Sequence, residues 1–80
     1  MKDLVEFMVK SIVDSPDKVV IDETETEGTV TFTVTVDQTD MGKVIGKGGK
    51  IIKSLRHLAY ARAIKENKRV QIVLTQEEIV

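Results

Sequence analysis

The sequence predicts an α+β fold in the order α-β-β-α-α-β, a three-stranded mixed sheet with helices on one face. Three observations carry this. Apolar and polar residues alternate strictly over residues 29–36. An apolar stripe at helical spacing opens the chain, and a glycine-rich break separates two helical patterns in its second half. With 80 residues and no linker, repeat or low-complexity stretch, residues 1–80 read as a single domain.

Residues 3–13 read as the first helix, because Leu4, Val5, Met8, Val9 and Ile12 recur every three or four positions. Ser15-Pro16-Asp17 ends it, since proline disfavours helical backbone in the residue before it. Val19-Val20-Ile21 opens a strand that runs into the acidic stretch from Asp22 to Glu27, and Gly28 marks a turn. Val30, Phe32, Val34 and Val36 then alternate with Thr29, Thr31, Thr33 and Thr35. That is a β-branched strand with one buried face, and the two strands form an antiparallel hairpin. Asp37-Gln38-Thr39-Asp40 is a polar link with a helix cap at Thr39 or Asp40. A short helix, Met41 to Ile45, follows. After Gly46-Lys47-Gly48-Gly49, a longer helix runs from Lys50 to Glu66, with Ile51, Ile52, Leu55, Leu58, Ala59 and Ala63 facing the core. Asn67-Lys68 turns the chain, and Val70, Ile72 and Leu74 alternate along a last strand. The helical crossover makes the second and third strands parallel, with a right-handed connection. The tail from about 75 to 80 is expected to be loose.

Composition narrows the functional classes. The chain is 41% apolar and 31% charged, ordinary for a globular domain. No apolar run approaches the roughly 18 residues of a membrane helix. Asp3, Glu6 and Lys10 interrupt the first segment, so it is not an export signal, and a cytoplasmic location without membrane contact is expected. There is no cysteine, which excludes disulfides and cysteine-ligated zinc. His57 is the single histidine. No metal, cofactor or small-molecule substrate is expected. A domain this small buries only about 60% of its unfolded surface, so self-association is a natural staple.

The net charge of −1 hides a strong asymmetry. Residues 1–42 hold three lysines against ten carboxylates, a balance of −7. Residues 43–69 hold nine Lys and Arg residues against Glu66, a balance of +8. Such a basic segment fits a polyanion.

The glycines lie inside it. Mid-helix glycine costs about 1 kcal/mol relative to alanine, so three in four residues are a designed break. They allow a tight turn and remove side chains from the path of a ligand. They also end where the long helix begins, and a helix N-terminus attracts phosphate. Lys43, Lys47, Lys50 and Lys53 surround the break. At helical spacing Lys50, Lys53, Ser54 and His57 share a face away from the core stripe. A mononucleotide P-loop and a dinucleotide fingerprint both require a strand directly before the glycines, and here a helix precedes them. A G-x-x-G loop between two helices is how KH domains clamp about four nucleotides of a single strand.

Val44-Ile45-Gly46-Lys47-Gly48-Gly49-Lys50-Ile51-Ile52 resembles the KH signature, with Gly46 and Gly49 as its fixed glycines and Ile45 and Ile52 as its aliphatics. The extra helix and strand precede the signature helices, which resembles the type II arrangement. From end to end the chain resembles the bacterial stand-alone KH proteins of the KhpA type. That resemblance implies single-stranded RNA as partner and no enzymatic activity. It implies a role as RNA chaperone or post-transcriptional regulator linked to cell elongation and division. It also implies a homodimer, or a heterodimer with a larger KH-domain-containing RNA-binding protein.

The expected RNA-binding residues are Lys43, Ile45, Gly46, Lys47, Gly48, Gly49, Lys50, Ile52, Lys53 and Arg56. Gly48 leaves one variable loop position without a side chain. Aromatic residues are scarce, so an RRM-like stacking sheet is excluded and low base selectivity follows. His57, Tyr60, Ala61 and Ile64 fall outside the Leu55 stripe and form a possible dimer face. His57 reads as a solvent-side residue, not a catalyst, and no catalytic residue is assigned. The carboxylates from Asp22 to Glu27 alternate faces and do not converge. A rival reading is a protein-interaction adaptor that works through the long helix, with a structural loop.

Overall fold

Seven threonine–valine-type positions decide the centre of the molecule. In a computed structural model that describes residues 1–75, they form β2, Thr29–Thr35, with Val30, Phe32 and Val34 buried and the threonines half-buried on the opposite face. On one side β2 pairs antiparallel with β1, Val20–Thr26, from Val20–Thr35 to Thr26–Thr29. The hairpin closes through Glu27 and Gly28, both at positive φ, as a two-residue loop requires to match strand twist. On its other side β2 pairs parallel with β3, Arg69–Leu74, so the sheet order is β1-β2-β3.

Three α-helices cover one face: α1, Lys2–Lys10; α2, Met41–Ile45; and α3, Lys50–Lys65. Val5 and Val9, Val44, and Ile52, Leu55, Ala59 and Ala63 pack on Val30, Phe32, Val34, Ile72 and Leu74. The element order and mixed sheet are those expected. α3 ends on a Schellman motif: the Lys68 N–H bonds to the Ala63 carbonyl at 2.9 Å, with Asn67 left-handed at φ 60°.

Several local expectations are corrected. α1 stops at Lys10, not residue 13, because the Ser11 hydroxyl folds back on the Phe7 carbonyl at 2.6 Å and Ile12 bonds three residues back. Ile12 and Val13 remain packed on the core without helical backbone. On α3 the buried line is Ile52, Leu55, Ala59 and Ala63; Ile51 is 37% exposed and Leu58 57%. Two alanines bring the helix close to the sheet along that narrow line, so residues one step around it face outward.

Asp40 stands at the expected N-cap position of α2, but its side chain makes no capping bond there. Asp37 caps a 3₁₀ turn, accepting from the Thr39 N–H at 2.9 Å. Asp40, 1% exposed, turns inward and accepts from the N–H groups of Asp14 (3.1 Å) and Ser15 (3.0 Å). A buried carboxylate thus ties the α1–β1 connection to the start of α2. At the far end, Thr75 still bonds to the Val34 carbonyl at 3.0 Å. The rest of the expected loose tail, 76–80, lies outside the described residues.

Candidate nucleic-acid interface

α2 is too short to be stable alone. Val44, fully buried, and the half-buried Met41 and Ile45 anchor it to the core. Its end is shaped by Gly46, at φ 77° and ψ 172°. A Cβ there would lie 2.6 Å from Ile51 Cγ1 and 2.9 Å from the Ile51 nitrogen, so no other residue fits. The Gly46 N–H bonds to the Gly42 carbonyl at 2.8 Å, and the Gly49 N–H to the Gly46 carbonyl at 3.1 Å. These bonds hold the loop in shape from within.

Gly48 and Gly49 differ from Gly46. Both are left-handed, and nothing lies within 4 Å of where their Cβ atoms would be. The backbone there faces open space. α3 starts immediately afterwards, and no side chain caps its N-terminus. Its first N–H groups and the positive end of its dipole therefore adjoin an accessible, side-chain-free loop. Lys47, Lys50 and Lys53 are exposed and form no ion pair among the described residues. The arrangement can hold anionic oxygens by backbone donors and surround them with mobile cations.

Lys43 stands apart from those three. Its ammonium pairs with the Asp14 carboxylate and lies 3.7 Å from Asp40. The hydrogen bond it donates to Asp14 holds its pKa above the usual lysine value. Ile45 sits at the margin of the core, whereas Ile52 is buried within it and supports the loop from below. Arg56 reaches across to the sheet: Nε and Nη2 donate to the Ile72 carbonyl at 3.2 and 3.0 Å. No spacing rule marks that contact, because it joins residues brought together only by the packing of α3 on β3.

The four residues of the expected dimer face are all exposed and follow at spacings of three and four along α3, so they share its outward side, between two hollows. Tyr60 and Ile64 line a groove of about 390 Å³ toward β3, together with Ala63, Lys68, Arg69 and Val70. Ala61 also borders a second hollow, with Leu58, Leu4 and Met8. His57 is exposed. A further hollow near the start of α1 mixes Lys2, Lys68 and Arg69 with Asp3, Glu23 and Glu66, so its charges offset one another. Among the described residues no group of three or more His, Cys, Asp and Glu could hold a metal ion, and no helix is long and apolar enough to cross a membrane.

Helix, G-x-x-G loop and helix between parallel strands, preceded by an extra helix and strand, define a KH domain of the type II arrangement. A family model described as "KhpA/KhpB, KH domain" matches residues 2–74, and the chain belongs to that family. It is 46% identical over 72 residues to "RNA-binding protein KhpA" of Oceanobacillus iheyensis, covering 90% of this chain and 96% of the relative. The protein of the same name from Clostridium perfringens is 47% identical over 72 residues, with the same coverage of both chains. That from Listeria monocytogenes is 40% identical over 76 residues, 95% of this chain and all of the relative. Among solved structures, Era in complex with MgGDPNP and nucleotides 1506–1542 of 16S ribosomal RNA superposes with a TM-score of 0.67 at 15% identity. Aquifex aeolicus Era bound to GDP.AlF4− gives 0.64 at 14% identity. In both, 91% of this chain is covered but only 28% of the Era chain, and the likeness is one of fold.

Proposed function

We propose that this protein binds single-stranded RNA with little base selectivity and catalyses no reaction. One observation carries the reading. The open backbone at Gly48 and Gly49 leads directly into an uncapped helix N-terminus among three lysines that form no ion pair among the described residues. Phosphates would be held by loop N–H groups and Lys47, with Lys50, Lys53 and Arg56 retaining the strand electrostatically. Lys43, engaged by Asp14, serves mainly to brace α2. The relatives named as RNA-binding, and the ribosomal RNA bound to Era, support the same class of ligand. Modest selectivity follows from contacts that position the backbone without reading bases. The cellular role we propose is that of a cytoplasmic RNA chaperone or post-transcriptional regulator linked to cell elongation and division, without metal, cofactor or small-molecule substrate.

The test is fluorescence anisotropy of a labelled single-stranded RNA against the unmodified protein and a Lys47→Asp, Gly48→Asp variant. Lys47 is exposed and a Cβ at Gly48 meets nothing, while aspartate tolerates left-handed backbone, so the variant should stay folded. Loss of the Lys47 cation and gain of two negative charges should weaken binding about tenfold or more. Equal binding by both proteins, or no binding at tens of micromolar, would remove the reading.

The proposal includes a second chain, either a copy of this one or a larger KH protein, on the exposed side of α3 that carries His57, Tyr60, Ala61 and Ile64. If the protein works instead as an adaptor, this is the surface it would use. Light scattering should show a mass above the monomer that Ile64→Asp, at an exposed position, reduces. A monomer at high micromolar concentration would sink the homodimer, and lack of co-purification with a larger KH protein the heterodimer.

A further inference from the structure

Of the four lysines around the loop, Lys43 is the one with a carboxylate partner among the described residues. That partner, Asp14, comes from the connection between α1 and β1, 29 residues earlier in the chain. Its place beside α2 is built. Asp40, the one buried charged residue among those described, accepts from the N–H groups of Asp14 at 3.1 Å and Ser15 at 3.0 Å. The backbone is thus pinned at two successive residues, and the Asp14 side chain is delivered to Lys43. Stability alone does not explain the pairing. The side chain of Lys43 is 45% exposed and that of Asp14 78%, and ion pairs so exposed contribute little to folding.

The position of Lys43 gives the pair another consequence. It stands one turn before Gly46, where the loop begins. Its flexible four-carbon stem lets the ammonium swing between Asp14 and an anion held at the loop. A carboxylate and a phosphate offer that ammonium the same kind of charged oxygen, so they compete for it. The carboxylate is tethered and always present, whereas RNA must arrive from solution.

We propose that Asp14 is a built-in competitor of the RNA phosphate, which occupies Lys43 and holds the affinity of the loop below what four lysines would give. Lys43 is then a latent fourth phosphate contact. Asp40 acts as a positioning residue, because it fixes the segment that carries Asp14. The restraint changes affinity and not base preference, since only a phosphate contact is at stake. An exposed pair opens at small cost, so the effect is graded, a few fold in size. This inference rests on the RNA-binding reading above and concerns the regulation of the same site.

Anisotropy titrations of a labelled ten-nucleotide oligouridine at three salt concentrations test it. The proteins compared are the unmodified chain, Asp14→Asn, Lys43→Ala, the two changes together, and Asp17→Asn, each checked by thermal unfolding. Asp14→Asn keeps the backbone N–H that Asp40 holds. Asp17, an exposed carboxylate of the same connection, controls for the loss of one negative charge. Asp14→Asn should bind about two- to fivefold more tightly, with a slope of log K against log salt steeper by about 0.7. Lys43→Ala alone should change neither quantity, and in the double variant it should cancel the gain. Asp17→Asn should give a clearly smaller gain than Asp14→Asn. Unchanged affinity in Asp14→Asn, a gain that survives Lys43→Ala, or an equal gain from Asp17→Asn overturns the restraint and leaves the loop clamp standing. Weaker binding by Asp14→Asn also overturns it, because the pair then supports the site. A marked loss in Lys43→Ala alone has the same consequence, because Lys43 is then already on the RNA. No binding by any of the proteins overturns both readings.

Discussion

Single residues in the loop divide by what surrounds them. Gly46 is closed in by Ile51, and Gly49 is open. Gly46→Ala forces a side chain into left-handed backbone and against the Ile51 backbone, and should cost about 2–4 kcal/mol in urea unfolding. Gly49→Ala carries only the conformational penalty, about 1–2 kcal/mol. If the two cost the same, the Ile51 contact is not what demands glycine. Asp40 is a comparable case among polar residues. Asp40→Ala leaves two backbone N–H groups without their carboxylate and Lys43 without one of its two partners, for a loss of about 3 kcal/mol. The exposed ion pairs act through pH. Lys43 has its pKa raised, chiefly by Asp14, so its contribution is complete below the ordinary lysine value of 10.5 and is lost as pH rises through the higher folded value. Asp37 is lowered, chiefly by the Thr39 N–H. Its contribution is present above the ordinary aspartate value of 3.8 and fades as pH falls through the lower folded value. Asp37→Asn should flatten the acid limb of a stability-against-pH curve, and Asp14→Asn the alkaline limb.

At the scale of elements, much of the molecule was legible before folding was considered. β2 was legible because period-2 alternation over Thr29–Thr35 has one reading. The loop between α2 and α3 was legible because three glycines in four positions contradict helix on both sides. The outward turn of Leu58 was not, because it depends on how close Ala59 and Ala63 let α3 approach the sheet. Nor was the path of the chain after α1, which the Asp40 carboxylate ties at Asp14 and Ser15 across 26 and 25 residues of chain. Lys43 and Lys47 look alike in sequence, yet among the described residues one is paired and the other is not, since only folding brings Asp14 to α2. Local pattern thus located the candidate site, and long-range contacts determined which of its members are available. A salt titration measures that difference. Three unpaired lysines on a single strand give a slope of log K against log salt near about −2, and Lys43→Ala should leave it almost unchanged.

On the scale of the whole molecule, charge is segregated across the sheet. β1 presents Asp22, Glu23 and Glu25 at one edge, and α3 with Arg69 borders the other. The acidic edge repels a polyanion, which confines any RNA to the α3 side and orients its approach.

The bond from Arg56 to the Ile72 carbonyl acquires another meaning here. Open strand edges are templates for aggregation, and edges of opposite charge attract one another. Stacking β1 of one molecule on β3 of the next would extend the sheet without limit. A guanidinium fastened over a carbonyl of β3 blocks that growth at the level of a single residue. One side chain of the long helix thus keeps a carbonyl of the open edge from pairing with a second chain.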